Sequence, residues 1–282
     1  MQKHMEEQSP PRVTALIVSR NGPAELRRCL ESLEKSEGRD RLEILIVDDG
    51  SRDETARVPD EFPEVISLSL PKRMGWTRAV NIGLRTAKGD LVLLLPQWVE
   101  VEPDTVERLA DRLESSPDVG GVCPRTDKVW PFPSPEALQE AWRTGQLPGA
   151  KSVTEREMST DYPQGAPIMM RRELFRAMNY LNEGFGDRWA DLQLCSRIRD
   201  GGKSILELSD IQVREGTGPT KDVSLLEWTD SANGVATWIG LHYGFAAGLK
   251  ARVSMAFHAL GRGKTSAFMG ILTGSKIDGN QE

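Results

Sequence analysis

From Val13 to about Cys123 the chain alternates apolar runs of strand length with segments of helical period. That alternation restricts the fold to strand-helix-strand units on a mostly parallel sheet. The expected strands are Val13–Val18, Leu42–Val47, Val65–Leu70, Leu91–Leu95 and Val119–Cys123. Between them Leu26, Cys29, Leu30 and Leu33 recur at i, i+3, i+4, i+7, as do Val106, Leu109, Ala110 and Leu113. Pro23 and Pro103 stand near the starts of those helices, where a missing N–H costs little.

After Cys123 the pattern becomes irregular, with prolines at 124, 131, 133, 135, 148 and 163. Loop-rich stretches of this kind commonly build the acceptor side of a cleft at the carboxyl ends of the strands. A helix is expected from about Arg188 to Asp200, stopped by Gly201-Gly202. Val223 to Thr273 is helical in composition, with a break expected at Gly261-Arg262-Gly263. The organisation expected is a disordered tail over 1–10, an α/β domain over 11–220 and a helical extension over 221–282.

The chain has 282 residues, 38% hydrophobic and 28% charged, which is ordinary for a soluble globular protein with an ample core. A net charge of −6 argues against a dedicated nucleic-acid binder. From Ser231 onward, however, five cations face two acids, so a basic tail follows an acidic body. Cys29, Cys123 and Cys195 are isolated, which suits structural thiols in a reducing cytoplasm. The opening MQKHMEEQSP has no apolar run and reads as neither signal peptide nor anchor. The expected location is cytoplasmic, with peripheral contact at the inner face of the membrane left open by the tail. There Trp228, Trp238, Tyr243, Phe245, Met255, Phe257 and Phe268 are interleaved with basic residues. That composition fits helices on an anionic lipid face, and equally helices packed back on the body.

Two acids carry candidate chemistry. Asp48-Asp49-Gly50-Ser51 follows the second strand, where a carboxylate can accept from a nucleobase N–H or a ribose hydroxyl. The same residues would also simply turn the chain and cap the next helix through Ser51. Asp191 precedes Leu194, Cys195 and Ile198 by three, four and seven residues, placing it on the inward stripe of its helix at the first turn. There it is either a general base or an acid held by the helix dipole.

Taken in order, Val-Ser-Arg-Asn at 18–21, Val-Asp-Asp-Gly-Ser at 47–51, Gly-x-x-x-Ala-x-Asn-x-Gly at 75–83, Ala-x-Gly-Asp at 87–90 and Val-Glu-Val-Glu-Pro-Asp at 99–104 form a specific series. It resembles the inverting family 2 glycosyltransferases and their GT-A fold. The likeness resumes at Gly165–Phe175 and Gly184–Gly202, and covers roughly Val13 to Thr217.

The resemblance implies an α/β, GT-A (nucleotide-diphospho-sugar transferase) fold with a mostly parallel central sheet flanked by helices. It implies a nucleoside-diphosphate sugar as donor and a polysaccharide or glycolipid acceptor. Asp49, with Asp48 beside it, matches the family's nucleotide-binding acid, and Ser19 and Arg78 fall among the nucleotide contacts. Asp191 matches the catalytic base, although the preceding Glu is Ala190 and the acid two residues on is Gln193. The metal-binding Asp-x-Asp matches Pro96-Gln97-Trp98, so the chain offers neither ligand for Mg2+ or Mn2+ there. The histidine often found after the last strand falls near Arg214-Glu215 and is missing.

Direct displacement leaves negative charge on the departing diphosphate, which cations must meet where no metal does. The candidates are Lys72, Arg73 and Arg78, with Arg214; a solvated basic loop is the plainer reading. Trp98 would stack on a sugar, fill the vacated metal position, or be ordinary core at a strand end. Lost ligands keep a second class in view, a non-catalytic binding or scaffold protein. A dehydrogenase or nucleotidyltransferase is excluded, because Ser19-Arg20-Asn21-Gly22-Pro23 is no glycine-rich phosphate loop.

Overall fold

A computed structural model describes residues 10–126, 128–152, 157–216 and 223–275. Most of the expected N-terminal tail, together with Thr217, Lys276, Asp278 and Glu282, lies outside the described residues.

The first half runs β1 (Val13–Ser19), α1 (Pro23–Leu33), β2 (Leu42–Asp48), β3 (Ile66–Ser69), α2 (Trp76–Thr86), β4 (Leu91–Leu94), β5 (Val99–Val101), α3 (Thr105–Glu114) and β6 (Val119–Pro124). The stretch read as loop contains β7 (Lys128–Val129), α4 (Pro135–Thr144), β8 (Lys151–Ser152) and β9 (Glu157–Thr160). Pro135 begins α4 rather than breaking it, with the Ser134 hydroxyl accepting from Ala137 N. Next in the chain are β10 (Ile168–Arg171), α5 (Arg172–Ala177), α6 (Ala190–Asp200), β11 (Ser204–Leu208) and β12 (Val213–Glu215). The chain closes with α7 (Leu225–Tyr243), α8 (Phe245–Gly261) and α9 (Thr265–Thr273).

The main sheet has the order β3-β2-β1-β4-β10-β6-β11-β9. Its pairs are parallel except those made by β10, with β4 and β6, and by β9 at the edge. Side chains alternate across it, as strand geometry requires. Leu16, Leu45, Val92, Leu94 and Met170 join the core beneath α2, α4, α6 and α7. Ala15, Ile17, Ile44, Leu93 and Met169 join the opposite layer with α1 and α3.

The extension has a second break that composition did not announce: Gly244, at φ 94°, turns α7 directly into α8. α7 opens on a capping box, Ser224 Oγ accepting from Glu227 N at 3.2 Å and Glu227 accepting from Ser224 N at 2.9 Å. It has no core of its own, since Ala232, Val235 and Trp238 belong to the same cluster as Leu16 and Leu94. Trp142 of α4 stacks on Trp228 at 4.3 Å and donates to its carbonyl at 3.0 Å. Among the described residues no helix is long and apolar enough to cross a membrane. The three cysteines are buried and unpaired.

Candidate active site

The parallel strands bring Ser19, Asp48 and the segment after Leu94 to one edge of the sheet, the carboxyl edge where open α/β sheets bind ligands. Asp48 turns back on its own chain, accepting from Ser51 N at 3.1 Å, from the Ser51 hydroxyl, and from Ser19 Oγ at 3.3 Å. It builds the turn. Gly50 completes it at φ 68°, where a Cβ would lie 2.6 Å from Arg73 N, so the turn is pressed against the loop after β3.

Asp49 is 3% exposed and accepts from Met74 N at 2.5 Å and from Gly75 N at 3.1 Å. Burial pushes its carboxyl up to about 6, against the Met74 N–H that favours the charged form and with the help of the neighbouring Asp187 charge. Asp187 escaped the sequence reading. Its carboxylate accepts from Thr77 N at 3.3 Å at the start of α2, where it also meets the favourable end of the helix dipole. Burial raises its pKa as well. Gly75 permits the approach, since a Cβ there would sit 2.9 Å from Asp187 Oδ1. The Asn of the Gly-x-x-x-Ala-x-Asn-x-Gly series is structural: the Asn81 amide donates to Leu181 O and accepts from Leu181 N, both at 2.9 Å.

Asp191 begins the first turn of α6. Its Oδ2 accepts from the Tyr162 hydroxyl at 2.9 Å and from Gly165 N at 3.3 Å, and its Oδ1 from Leu192 N at 2.8 Å. Burial raises its pKa while the Tyr162 hydrogen bond opposes the rise. Tyr162 is fully buried and held by a two-way backbone pairing with Trp130. Trp130, Gln164 and Ala166 line a cleft of about 630 Å³, with Arg125, Thr126 and Lys128 after β6 and Val213 and Glu215 of β12. Thr126 is fixed from below by the buried Glu207, which accepts from its hydroxyl at 2.8 Å.

The proposed cations fare differently. Lys72 is exposed beside the turn. Arg73 pairs with Glu227 of α7, and Arg78 with Glu183 at 3.1 Å. Arg214 lies apart, bonded to Glu102 at 2.9 Å in a separate hollow with Arg28 and Lys35.

At the Asp-x-Asp position, Gln97 Oε1 accepts from Arg20 N at 2.8 Å and its amide nitrogen donates to Asn21 O. The Trp98 ring is half-buried against the α1/α3 layer, as a core residue would be. Among the described residues no three His, Cys, Asp or Glu side chains converge as a metal group. With both amide atoms of Gln97 committed to backbone, and Glu25, whose carboxylate comes close to it at Gly22, paired with Arg28, the residues at this position do not fit a divalent ion.

The sheet order and its flanking helices are those of the GT-A fold. The fold matches that of the crystal structure of GalNAc-T7 with UDP, GalNAc and Mn2+, with a TM-score of 0.60 over 79% of this chain and 47% of that one at 16% identity. The family model for Glycosyl transferase family 2 matches residues 14–178, and the chain belongs to that family. It is 33% identical over 120 residues to an N-acetylglucosaminyltransferase of Sinorhizobium fredii, covering 40% of this chain and 29% of the relative. It is 34% identical over 113 residues to an undecaprenyl-phosphate 4-deoxy-4-formamido-L-arabinose transferase of Pseudomonas paraeruginosa, covering 38% and 33%. A glucosyl-dolichyl phosphate glucuronosyltransferase of Haloferax volcanii is 28% identical over 139 residues, covering 48% and 44%. The match thus spans less than half the length of each of these relatives.

Tyr162 had no signal in the sequence, standing in an aperiodic stretch 29 residues from its partner. Asp187 had one: it lies four residues before Asp191 in the same family-like segment.

Proposed function

We propose that this chain transfers a sugar from a nucleoside diphosphate to a hydroxyl of a glycan or glycolipid acceptor, with inversion. The observation that carries the reading is Asp191, held by Tyr162 and Gly165 beside a cleft of about 630 Å³. Its carboxylate takes the acceptor proton as the hydroxyl oxygen bonds to the anomeric carbon; the bond from that carbon to the diphosphate breaks and its electron pair leaves with the nucleotide. The nucleotide lies against the β1 and β2 ends, over the turn that Ser19 and Asp48 build and beside Asp49, with Arg78 close by. Arg125 and Lys128 line the cleft and are placed to meet the diphosphate there, with Lys72 exposed beside the turn; Arg73 and Arg78 are bonded to Glu227 and Glu183. Each charge-assisted contact contributes about 1.5–3 kcal/mol. Arg214 is assigned to the separate hollow instead. A lipid-carried acceptor, as in the names of two relatives, would bring the enzyme to the inner face of a membrane.

Calorimetry with a panel of nucleoside diphosphates, followed by turnover of the matching sugar donors by wild type and Asp191→Asn, tests the reading. Nucleotide binding by both, with turnover only in the wild type, supports it. Binding without turnover in the wild type would instead assign the chain to the binding-protein class, and no binding would remove the nucleotide pocket.

A further inference from the structure

We propose that the outer face of α8, with the α7–α8 corner, docks on a bilayer carrying anionic lipid. α8 is apolar on two sides, and only one of them is covered. Gly248, Ala251, Met255 and Ala259 point inward and are buried. Phe245, Leu249, Val253 and Phe257 recur every fourth residue on the other side and are exposed, Phe245 82% and Phe257 60%, the latter meeting Phe268 of α9 edge-on at 5.8 Å. Leu241 and Tyr243 extend the stripe across the Gly244 corner, also exposed. A second apolar face is ordinarily covered as well, and this one is largely open.

Charge identifies that partner. From Ser231 to Ser275 the chain holds no acid and four cations, within a protein of net charge −6. Arg252 is spent internally on Asn233 and the Ile271 carbonyl, and Lys264 lies over the Trp228 ring. Lys250 and Arg262 are exposed, the first next to Leu249 and the second just past Leu260. Glu136 of α4 is close enough to feel Lys250, but it is also held by Ser134. An apolar ridge edged by cations suits the interface of an anionic bilayer, with Phe245 entering the acyl boundary. A second copy suits it less well, because twofold pairing of a basic face sets like charges against each other.

The test is co-sedimentation of the full chain with vesicles of phosphatidylcholine alone or mixed with phosphatidylglycerol. Binding is expected to be about thirtyfold stronger to the mixed vesicles, as for two cations near a charged surface, and to weaken with salt. Phe245→Ser/Phe257→Ser should bind them at least about tenfold more weakly, with an unchanged Tm. Equal binding to both vesicles, no binding, or full binding by the double variant would overturn the proposal. So would a dimer in light scattering that the double variant dissolves while vesicles are ignored. The assay needs no nucleotide, so failure of the transferase reading would leave its result intact.

Discussion

The Tyr162 hydroxyl donates to Asp191 Oδ2 across 2.9 Å, joining a fully buried phenol to the carboxylate proposed as the base. Burial raises the Asp191 pKa and this hydrogen bond restrains the rise. A base must be ionised to work, so kcat/KM should increase as pH climbs through that pKa. Tyr162→Phe removes the restraint and should move this acid limb to higher pH, whereas Asp191→Asn should lower turnover about 10²–10⁴-fold above the limb and abolish the limb itself. Full pH–rate profiles of the two variants check this; an unmoved limb in Tyr162→Phe would detach the phenol from the chemistry.

Asp49 offers a thermodynamic check that needs no substrate. Its pKa stands near 6 in the fold against an ordinary 3.8, so its contribution to stability is complete below about pH 4 and is lost as pH rises through 6. The loss amounts to at most about 3 kcal/mol, from 1.36 kcal/mol per pKa unit. Asp49→Asn should therefore gain Tm relative to wild type between pH 4 and 7. A constant difference across that range would contradict the shift.

Arg73 and Glu227 tie the loop after β3 to the start of α7, and Glu227 at the same time closes the capping box. Arg73 is 9% exposed and its partner 36%, between the surface and interior regimes. A double-mutant cycle of Arg73→Ala and Glu227→Ala, read by urea denaturation, should return a coupling of about 1–2 kcal/mol.

Gln97 occupies the place of a metal ligand and holds the loop after β1 instead. Gln97→Ala leaves Arg20 N and Asn21 O without that amide and should destabilise by about 1–3 kcal/mol. Because the donor set does not suit a divalent ion, nucleotide affinity should change less than about twofold between EDTA and Mn2+. Calorimetry under the two conditions measures it directly.

The open α/β half was legible because burial on both faces imposes a period that side chains must obey. Leu26, Cys29, Leu30 and Leu33 are all fully buried, as their spacing requires. The antiparallel placement of β10 was not legible, since pairing with β4 and β6 leaves no trace in the local pattern of Ile168–Arg171. α4 hid among prolines that start it or flank it. Asp49 and Asp191 stood out by position as candidates; the burial that shifts their protonation, and Asp187 and Tyr162 that act beside it, arise only through the fold. The three readings of Trp98 could be separated only by seeing which layer its ring joins. For α8, sequence showed an apolar helix but not which side would stay wet.

The stack of Trp142 on Trp228 ties the fate of the helical tail to that of the α/β body. A chain cut ahead of Ser224 would leave one indole without its neighbour and its acceptor, and would open Phe185 and Trp189 to solvent. Such a fragment should be recovered as aggregate. Any exchange of this tail for another, by recombination or by design, has to bring back an aromatic plate and a carbonyl at the same spot.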